Sequence, residues 1–342
     1  MLAPRVLIVD KMHESISPLL EAIGLQPDYQ PNIKKEEIPG ALKDAIGMVV
    51  RSKVFVDENL LQPAQSLRFV ARAGAGVDNV DTQFLEQRNI SLINAPEGNR
   101  DALAEHAMGM LLALFNRLIW ADREVRNGIW DREGNRGYEL MHRTVGIFGY
   151  GYMGQALAKR LSSFGCRVIA YDKYKQGFGD EYAEEVTLDT LFAETEVLSL
   201  NVPLTEETRF LADNAFFSQF KKPFHFLNTS RGEVASLGSL VQHMKEGKIL
   251  GAALDVLENE KLDTLSEEQK AAMEYLTQSE NTILSPHVAG WSFESYEKIN
   301  QTLVKKIQLL GLIWVFRTKV FLTLQKSLAY FLPIWQVYKH DH

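Results

Sequence analysis

Short apolar runs separated by stretches of helical or mixed periodicity fill the first hundred residues. "RVLIVD" (5–10), "GMVVRS" (47–52), "LRFVARAG" (67–74) and "ISLINAP" (90–96) read as strands. Each is nearly unbroken in apolar character, the pattern of a strand covered on both faces. Strands alternating with helical segments give βαβ spacing, and therefore a parallel sheet with helices on its faces. Around 101–127 the spacing changes to three and four. Leu103, Ala107, Met110, Leu111, Leu114 and Leu118 predict one long helix with one buried face, and Asn99 or Asp101 is placed to cap it. After the polar loop "NGIWDREGNRGYELMHR" a second strand series begins. It comprises "TVGIFGYG" (144–151), "CRVIAYD" (166–172), "EVLSLNVP" (196–203), "FHFLNTS" (224–230), "ILGAALDV" (249–256) and "NTILSP" (281–286). The pattern predicts an α/β protein with two doubly wound parallel-sheet, Rossmann-like domains.

Composition narrows the class. The 342 residues suit two domains, since one usually takes ~100–200. An apolar fraction of 46% and a charged fraction of 24% are those of a globular protein. The net charge is −7 with no long basic run, so nucleic acid is not an expected partner. The single cysteine, Cys166, excludes an intrachain disulfide framework and suits a reducing, cytoplasmic compartment. In "MLAPRVLIVDKMHES" the apolar core is too short for a signal peptide and Asp10 ends it. The extension 311–342, "GLIWVFRTKVFLTLQKSLAYFLPIWQVYKHDH", is far more apolar and aromatic than the segment before it. Arg317, Lys319, Gln325 and Lys326 interrupt it, whereas a membrane span takes ~20 mostly apolar residues. It reads as one or two amphipathic helices or a poorly ordered extension and not as a span; its Trp, Phe and Leu density suits a membrane-surface or oligomer contact, the alternative being an accidental extension.

The second strand series opens on a phosphate-binding pattern. Gly149, Gly151 and Gly154 form G-x-G-x-x-G between a β-branched strand and a helix carrying Ala156, Leu157 and Leu161. Gly149 permits a tight turn, Gly151 lets the backbone approach a pyrophosphate, and Gly154 lets helix and strand pack closely. Free N–H groups at the helix start attract phosphate. Roughly 20 residues on, Asp172 ends the next strand, where a carboxylate accepts from ribose hydroxyls and repels a 2′-phosphate. The expected cofactor is NAD, with Lys173 softening the preference without reversing it.

Three titratable groups fall at or beyond the carboxyl ends of later strands, where open parallel sheets bind ligands. Arg231 follows "FHFLNTS", Glu260 lies past Asp255 at the end of "ILGAALDV", and His287 follows "NTILSP". Together they suit oxidation of a hydroxy acid. An arginine fork clamps the carboxylate and polarises the neighbouring carbonyl. A histidine takes the hydroxyl proton as hydride leaves. A glutamate on the other ring nitrogen orients the imidazole. His106, within the long helix, and His225, inside an apolar strand, read as structural. No His, Cys or carboxylate group has metal-ligand spacing, so no metal is expected.

At this point the sequence resembles the D-2-hydroxyacid dehydrogenases, the family that includes D-3-phosphoglycerate dehydrogenases, over roughly residues 3–310. The matching stretches are "VRSKVFVDENLL", "ARAGAGVDNVD", "NAPEGNRDALAEHAMGMLLAL", "VGIFGYGYMG", "VPLTEETR", "LNTSRGE", "GAALDVLENE" and "SPHVAG". The resemblance implies that Arg231, Glu260 and His287 are the catalytic arginine, glutamate and histidine. It extends the cofactor set to Tyr152, Met153, Asn201, Pro203, Thr208, Thr229, Asp255 and Gly290, with the nicotinamide carboxamide near Asp255. It assigns backbone N–H groups of Gly74, Ala75 and Gly76 to the substrate carboxylate, and Arg51 and Ser52 to the substrate's acidic end. It implies a discontinuous substrate domain, 1–97 plus 286–310, with the NAD-binding domain, 98–285, inserted and the extension 311–342 left over. It makes 101–142 a dimerisation arm, so a homodimer is expected, with substrate in the cleft between domains. The best-matching activity is conversion of 3-phosphoglycerate to 3-phosphohydroxypyruvate, which opens serine biosynthesis. Glycerate, hydroxypyruvate, glyoxylate or D-lactate are the alternative substrates. NAD-sensing transcriptional corepressors share the fold resemblance but no basic tail supports that role here. Asn201 stands where a histidine is common, Lys261 replaces the usual proline, and "KLDTLSEEQKAAMEYL" lengthens a loop. No serine-binding regulatory domain is recognisable, so feedback control through one is not expected.

Overall fold

The computed structural model describes residues 3–324. The chain forms two compact units: one runs to Gly98 and resumes at Tyr296, and the other is Asn99–Ser295. In the first unit, β1 (Arg5–Ile8), β2 (Gln26–Tyr29), β3 (Gly47–Val50), β4 (Phe69–Arg72) and β5 (Ser91–Asn94) form a parallel sheet ordered β2-β1-β3-β4-β5. Successive side chains point to opposite faces, and both faces are apolar. Leu7, Met48, Val50 and Val70 pack with Ile38, Leu42, Leu61 and Leu85 on one side. Val6, Ile8, Val49 and Ala71 pack with Ile16, Leu20, Ile299, Leu303 and Ile307 on the other. The C-terminal helix Phe293–Leu324 therefore completes the core begun by the first strand.

The second unit holds seven parallel strands: β6 (Thr144–Phe148), β7 (Arg167–Tyr171), β8 (Glu184–Glu185), β9 (Val197–Leu200), β10 (Phe224–Asn228), β11 (Ile249–Leu254) and β12 (Thr282–Leu284). Their order is β12-β11-β10-β9-β6-β7-β8. The chain winds outward from β6 in one direction and, after β8, from β9 in the other. That reversal creates a crevice at the carboxyl ends of β6 and β9, where ligands of such sheets bind. Aromatic packing fills one face, with Phe216, Phe217, Phe220, Phe224 and Phe226 in one buried cluster. Smaller side chains fill the other, where Ala104, Ala107, Leu111, Leu157 and Leu161 cover Val145, Ile147, Val168 and Val197.

Every strand expected from the apolar pattern is present, shortened at its ends, and two were not expected. β2 reads QPDY and β8 is a pair of glutamates. Both are edge strands, where polar residues and proline are tolerated because one side makes no ladder. The single helix expected at 101–127 is two, Pro96–Phe115 and Leu118–Arg126. They bend by 61°. Arg117, in the left-handed region at φ 52, breaks the run, and Leu118 is exposed instead of belonging to the buried face. The first helix starts at Pro96, ahead of Asn99 and Asp101, because proline's fixed φ and missing N–H suit a first turn. The second crossing between units falls at Ser295/Tyr296 and not at 286. Residues 287–289 are hydrogen-bonded to Asp255 of the larger unit, which keeps that stretch with it. Helix Phe293–Leu324 carries the chain into the apolar extension; the rest of that expectation lies outside the described residues. Among the described residues no single helix is long and apolar enough to cross a membrane.

His225, in β10, is buried with its ring 4.4 Å from that of Phe115. Burial, reinforced by Arg143, pushes its pKa down to about 4 from 6.5. Between those values an unfolded chain takes a proton that the folded one refuses, so stability falls as pH drops through that window, by up to about 3 kcal/mol. Above 6.5 this group adds no pH dependence. Urea unfolding of the wild type and of His225→Leu tests it. As the pH is lowered from neutral to about 5, the wild type is expected to lose ground to the variant; pH-independent spacing of the two curves would contradict the assignment.

Candidate active site

The nucleotide-binding edge begins where β6 ends. Gly149 has φ +96, and a Cβ there would lie 2.7 Å from the Asn201 carbonyl oxygen. Both facts demand glycine. A Cβ on Gly154 would lie 2.4 Å from the Gly149 oxygen, the close helix–strand approach that the motif anticipates. Gly151 differs, since a Cβ there would meet open space. Gly151 caps the helix Tyr152–Ser163 with no side chain across its first turn, so the N-terminal dipole faces that opening. Asp172, just past β7, accepts from Tyr150 N at 2.9 Å and from Tyr174 N at 3.0 Å. These bonds tie the carboxylate to the glycine loop while leaving lone pairs on both oxygens.

The polar atoms around the crevice fit a dinucleotide. Thr229 Oγ1, after β10, and Asn201 Oδ1, after β9, are buried with no hydrogen-bond partner among the described residues. Buried polar atoms are nearly always paired, so an orphan at the strand-order reversal and another beyond the neighbouring strand β10 leave groups for a ligand to satisfy. Thr208 Oγ1 donates to the Pro203 carbonyl at 2.6 Å, folding the loop after β9 back on itself. Tyr152 is exposed and Met153 half-buried at the helix start. Gly290 packs against Asn99, where a Cβ would lie 2.6 Å from Nδ2.

β10, β11 and β12 are neighbours in the sheet, and Arg231, Glu260 and His287 follow them in turn. Arg231 Nη1 donates to the Ser230 carbonyl at 2.8 Å. Gly232 lets this loop touch the next one: its Cβ would fall 1.8 Å from the Leu257 oxygen, so no side chain fits. Glu260 lies beyond that contact, with Oε1 2.8 Å and Oε2 3.0 Å from His287 Nδ1. Nδ1 thus carries a proton toward the carboxylate, and Nε2 is the nitrogen left for chemistry.

His287 is held in an unusual backbone state, φ 54. Its N–H donates to the Asp255 carbonyl at 2.7 Å. The buried Asp255 carboxylate accepts from Val288 N at 2.9 Å, Ala289 N at 2.8 Å and Ser285 Oγ at 2.6 Å. Asp255 is thereby committed mainly to the loop that bears His287. His106 Nε2 lies 2.9 Å from Ser285 Oγ and 3.7 Å from Asp255 Oδ1. The motif pattern did not single out Ser285; its place two residues before His287 was the available signal.

In the smaller unit, Arg51 and Ser52 follow β3 and Gly74–Gly76 follow β4. Arg51 N donates to Asp10 Oδ2 at 2.6 Å, and its guanidinium lies 5.7 Å from the centroid of the Tyr296 ring. Burial lowers the Arg51 pKa, opposed by Tyr296 and Asp10, and the group stays charged. The Ala95 N–H donates to the Gly74 carbonyl and Asn94 Nδ2 to that of Ala75, which fix the loop from behind. The Arg72 guanidinium lies over Gly74, where a Cβ would be 2.0 Å from Nη1. Arg72 and Tyr296 escaped the motif reading, though Arg72 sits inside "ARAGAGVDNVD". Among the described residues no group of His, Cys, Asp or Glu side chains converges as a metal site would.

A strand–glycine-loop–helix unit with a carboxylate after the next strand, beside an Arg, Glu and His on three adjacent strands, defines a nicotinamide-dependent dehydrogenase. Residues 108–289 match the family model described as D-isomer specific 2-hydroxyacid dehydrogenase, NAD binding domain. The chain is 33% identical over 276 residues to a hydroxypyruvate reductase of Thermotoga maritima, covering 81% of this chain and 88% of that one. It is 32% identical over 308 residues to a D-3-phosphoglycerate dehydrogenase of Archaeoglobus fulgidus, covering 89% of this chain but only 56% of that one. Its fold matches the crystal structure of the TT0316 protein from Thermus thermophilus with a TM-score of 0.75 and 27% identity, over 90% of this chain and 97% of the other. The chain belongs to the D-isomer-specific 2-hydroxyacid dehydrogenase family. It is an NAD-dependent oxidoreductase acting on CH–OH donors.

Gly149→Ala tests the cofactor loop. The positive φ and the Asn201 contact together cost a few kcal/mol. NADH affinity, read by fluorescence titration, is expected to fall about tenfold or more. Wild-type affinity would show that the loop does not hold the cofactor.

Proposed function

We infer that the chain interconverts 3-phosphoglycerate and 3-phosphohydroxypyruvate, with Arg231, Glu260 and His287 as the reacting-centre residues. Bound NAD supplies the hydride acceptor and NADH the hydride donor. Arg231 binds the substrate carboxylate and the C2 oxygen, holding the carbon in line for hydride transfer. His287 Nε2 takes the hydroxyl proton during oxidation and returns it during reduction. Glu260 keeps the ring oriented through Nδ1 and stabilises the protonated imidazole. The backbone N–H groups of Gly74, Ala75 and Gly76 have no acceptor among the described residues, which supports their assignment to the carboxylate.

The single observation that carries the phosphorylated substrate is Arg51, a half-buried cation backed by Asp10 and by the Tyr296 ring. A guanidinium binds phosphate through charge-assisted, bidentate hydrogen bonds, and the match of Arg51 to the position where phosphoglycerate dehydrogenases hold the substrate's acidic end favours a distal phosphate. The archaeal phosphoglycerate dehydrogenase relative supports the same choice, though this chain spans little more than half its length. The Thermotoga relative, matched over nearly its whole length, favours hydroxypyruvate as the second reading. Exposed Leu118, Ile119, Val125, Ile129 and Trp130 on and after helix Leu118–Arg126 support a homodimer through this arm. A single cysteine, which leaves no intrachain disulfide, suits a cytoplasmic enzyme.

Steady-state oxidation of NADH with 3-phosphohydroxypyruvate and with hydroxypyruvate separates the readings. Arg51→Ala is expected to raise KM for the phosphorylated acid at least tenfold and leave hydroxypyruvate unchanged, as for a lost charge-assisted pair. Equal effects on both acids, or none, would remove the phosphate assignment. Arg231→Ala is expected to lower kcat by about 10²-fold or more on either acid; full turnover would sink the site as read. Trp130→Asp is expected to shift the sedimentation coefficient toward a monomer, and an unchanged value would refute the arm.

A further inference from the structure

The hydrogen bonds behind His287 form a chain that reaches a residue of another element. His106 stands on helix Pro96–Phe115 and, like Ser285 and Asp255, belongs to the larger unit. The Asp255 carboxylate can only accept, so the Ser285 hydroxyl donates to it at 2.6 Å. That leaves the Ser285 oxygen as an acceptor toward His106, and the short His106 Nε2 contact of 2.9 Å requires the proton on Nε2. The direction of the whole chain is thereby set: His106 to Ser285, Ser285 to Asp255 Oδ1, with Val288 N donating to the same oxygen and Ala289 N to Oδ2. Met110, one turn along the helix from His106, packs its sulfur 3.7 Å from Ser285 Oγ.

The object held by this chain is strained. A histidine at φ 54 occupies a sparsely populated region that persists only where surrounding contacts enforce it. The enforcing contacts centre on Asp255: its carbonyl receives the His287 N–H, which the Ser285 carbonyl shares at 3.1 Å, and its carboxylate receives the next two N–H groups. An Asp255 side chain free to turn would release those two donors, and His287 would relax, carrying its ring away from Glu260. Ser285 is the side-chain donor to Oδ1 that stops this turning, and His106 is the donor that keeps Ser285 pointed at Asp255.

We propose that His106 and Ser285 are positioning residues for proton transfer at His287, acting through Asp255. This rests on the reading of His287 as the acid and base of the reaction. A displacement of the imidazole by a fraction of an ångström slows the step while leaving the cofactor loop, on the far side of β9, untouched.

Single-turnover oxidation of NADH by the whole 342-residue chain, with whichever of hydroxypyruvate and 3-phosphohydroxypyruvate the wild type reduces faster, provides the test. His106→Leu and Ser285→Ala are each expected to lower the rate about tenfold or more, with the NADH dissociation constant changed by less than about threefold. Because the two act in one chain, the double variant is expected to be no slower than the slower single. His106→Gln, whose amide N–H reaches the same oxygen, is expected to recover most of the rate. A purely structural role would lower the amount of folded enzyme without this split and would not be rescued by Gln. Wild-type rates in folded His106→Leu and Ser285→Ala, or losses that multiply in the double variant, would overturn the proposal. Should His106→Leu fail to fold, Ser285→Ala, which removes one oxygen, decides. A His287→Gln enzyme with full activity would instead overturn the reading of His287 itself.

Discussion

One buried carboxylate organises the reactive edge of the larger sheet. Asp255 closes β11 and gathers a hydroxyl and two backbone N–H groups on its side chain, with a third N–H on its carbonyl. Burying a carboxylate is expensive unless donors replace its water. Here the donors come from the chain just past β12, so the cost of burial is offset only when that segment adopts one conformation. The histidine and its glutamate partner inherit their placement from this requirement. The same bonds keep residues 286–295 with the larger unit, so one interaction decides both a domain boundary and the attitude of a side chain.

The rest of the site follows from a parallel sheet whose order reverses beside β6. The groups proposed for cofactor and substrate lie beyond carboxyl ends of strands: the glycine loop after β6, Asp172 after β7, Asn201 after β9, Arg231 after β10 and the His287 loop after β12. The strands themselves are apolar on both sides and contribute rigidity, with Phe-rich packing beneath one face and small aliphatic packing beneath the other. Glycines appear where two backbones must touch. At Gly232 the Leu257 carbonyl already fills the space of a side chain, which lets the arginine loop and the glutamate loop lie against each other. Chemistry and packing are thus divided along the strand axis, loops carrying one and strands the other.

Much of this was legible in the chain because it rests on short-range rules. Buried parallel strands must be apolar along their length, so Val145–Phe148 and Phe224–Leu227 declared themselves. A glycine loop is a local device, and the sequence around Gly149 contains all its parts. What escaped notice depends on distant partners. The strand Gln26–Tyr29 is polar and interrupted by proline; only its pairing with β1 makes it a strand. The break at Arg117 is set by a left-handed backbone that no periodicity announces. Ser285 and His106 are 179 positions apart, and a hydrogen bond of that span leaves no trace in local pattern. The roles proposed for Arg51 and the Gly74–Gly76 loop came from resemblance alone, since an arginine after a strand is chemically unspecific until its surroundings are known.

The smaller unit is made from both ends of the chain: Ile299, Leu303, Val304 and Ile307 fill a core whose other wall is Val6, Ile8, Ile16 and Leu20. During vectorial synthesis the larger unit has all its strands available before the last helix leaves the ribosome. The smaller one, although its strands are translated before the inserted unit, cannot bury that face until the helix after that unit is made. Nascent strands β1 to β5 therefore wait with an apolar surface uncovered while nearly two hundred residues of the inserted unit are made. Of the two units, the one whose strands are made first is completed last, and its uncovered face is the natural target for chaperone capture on the ribosome.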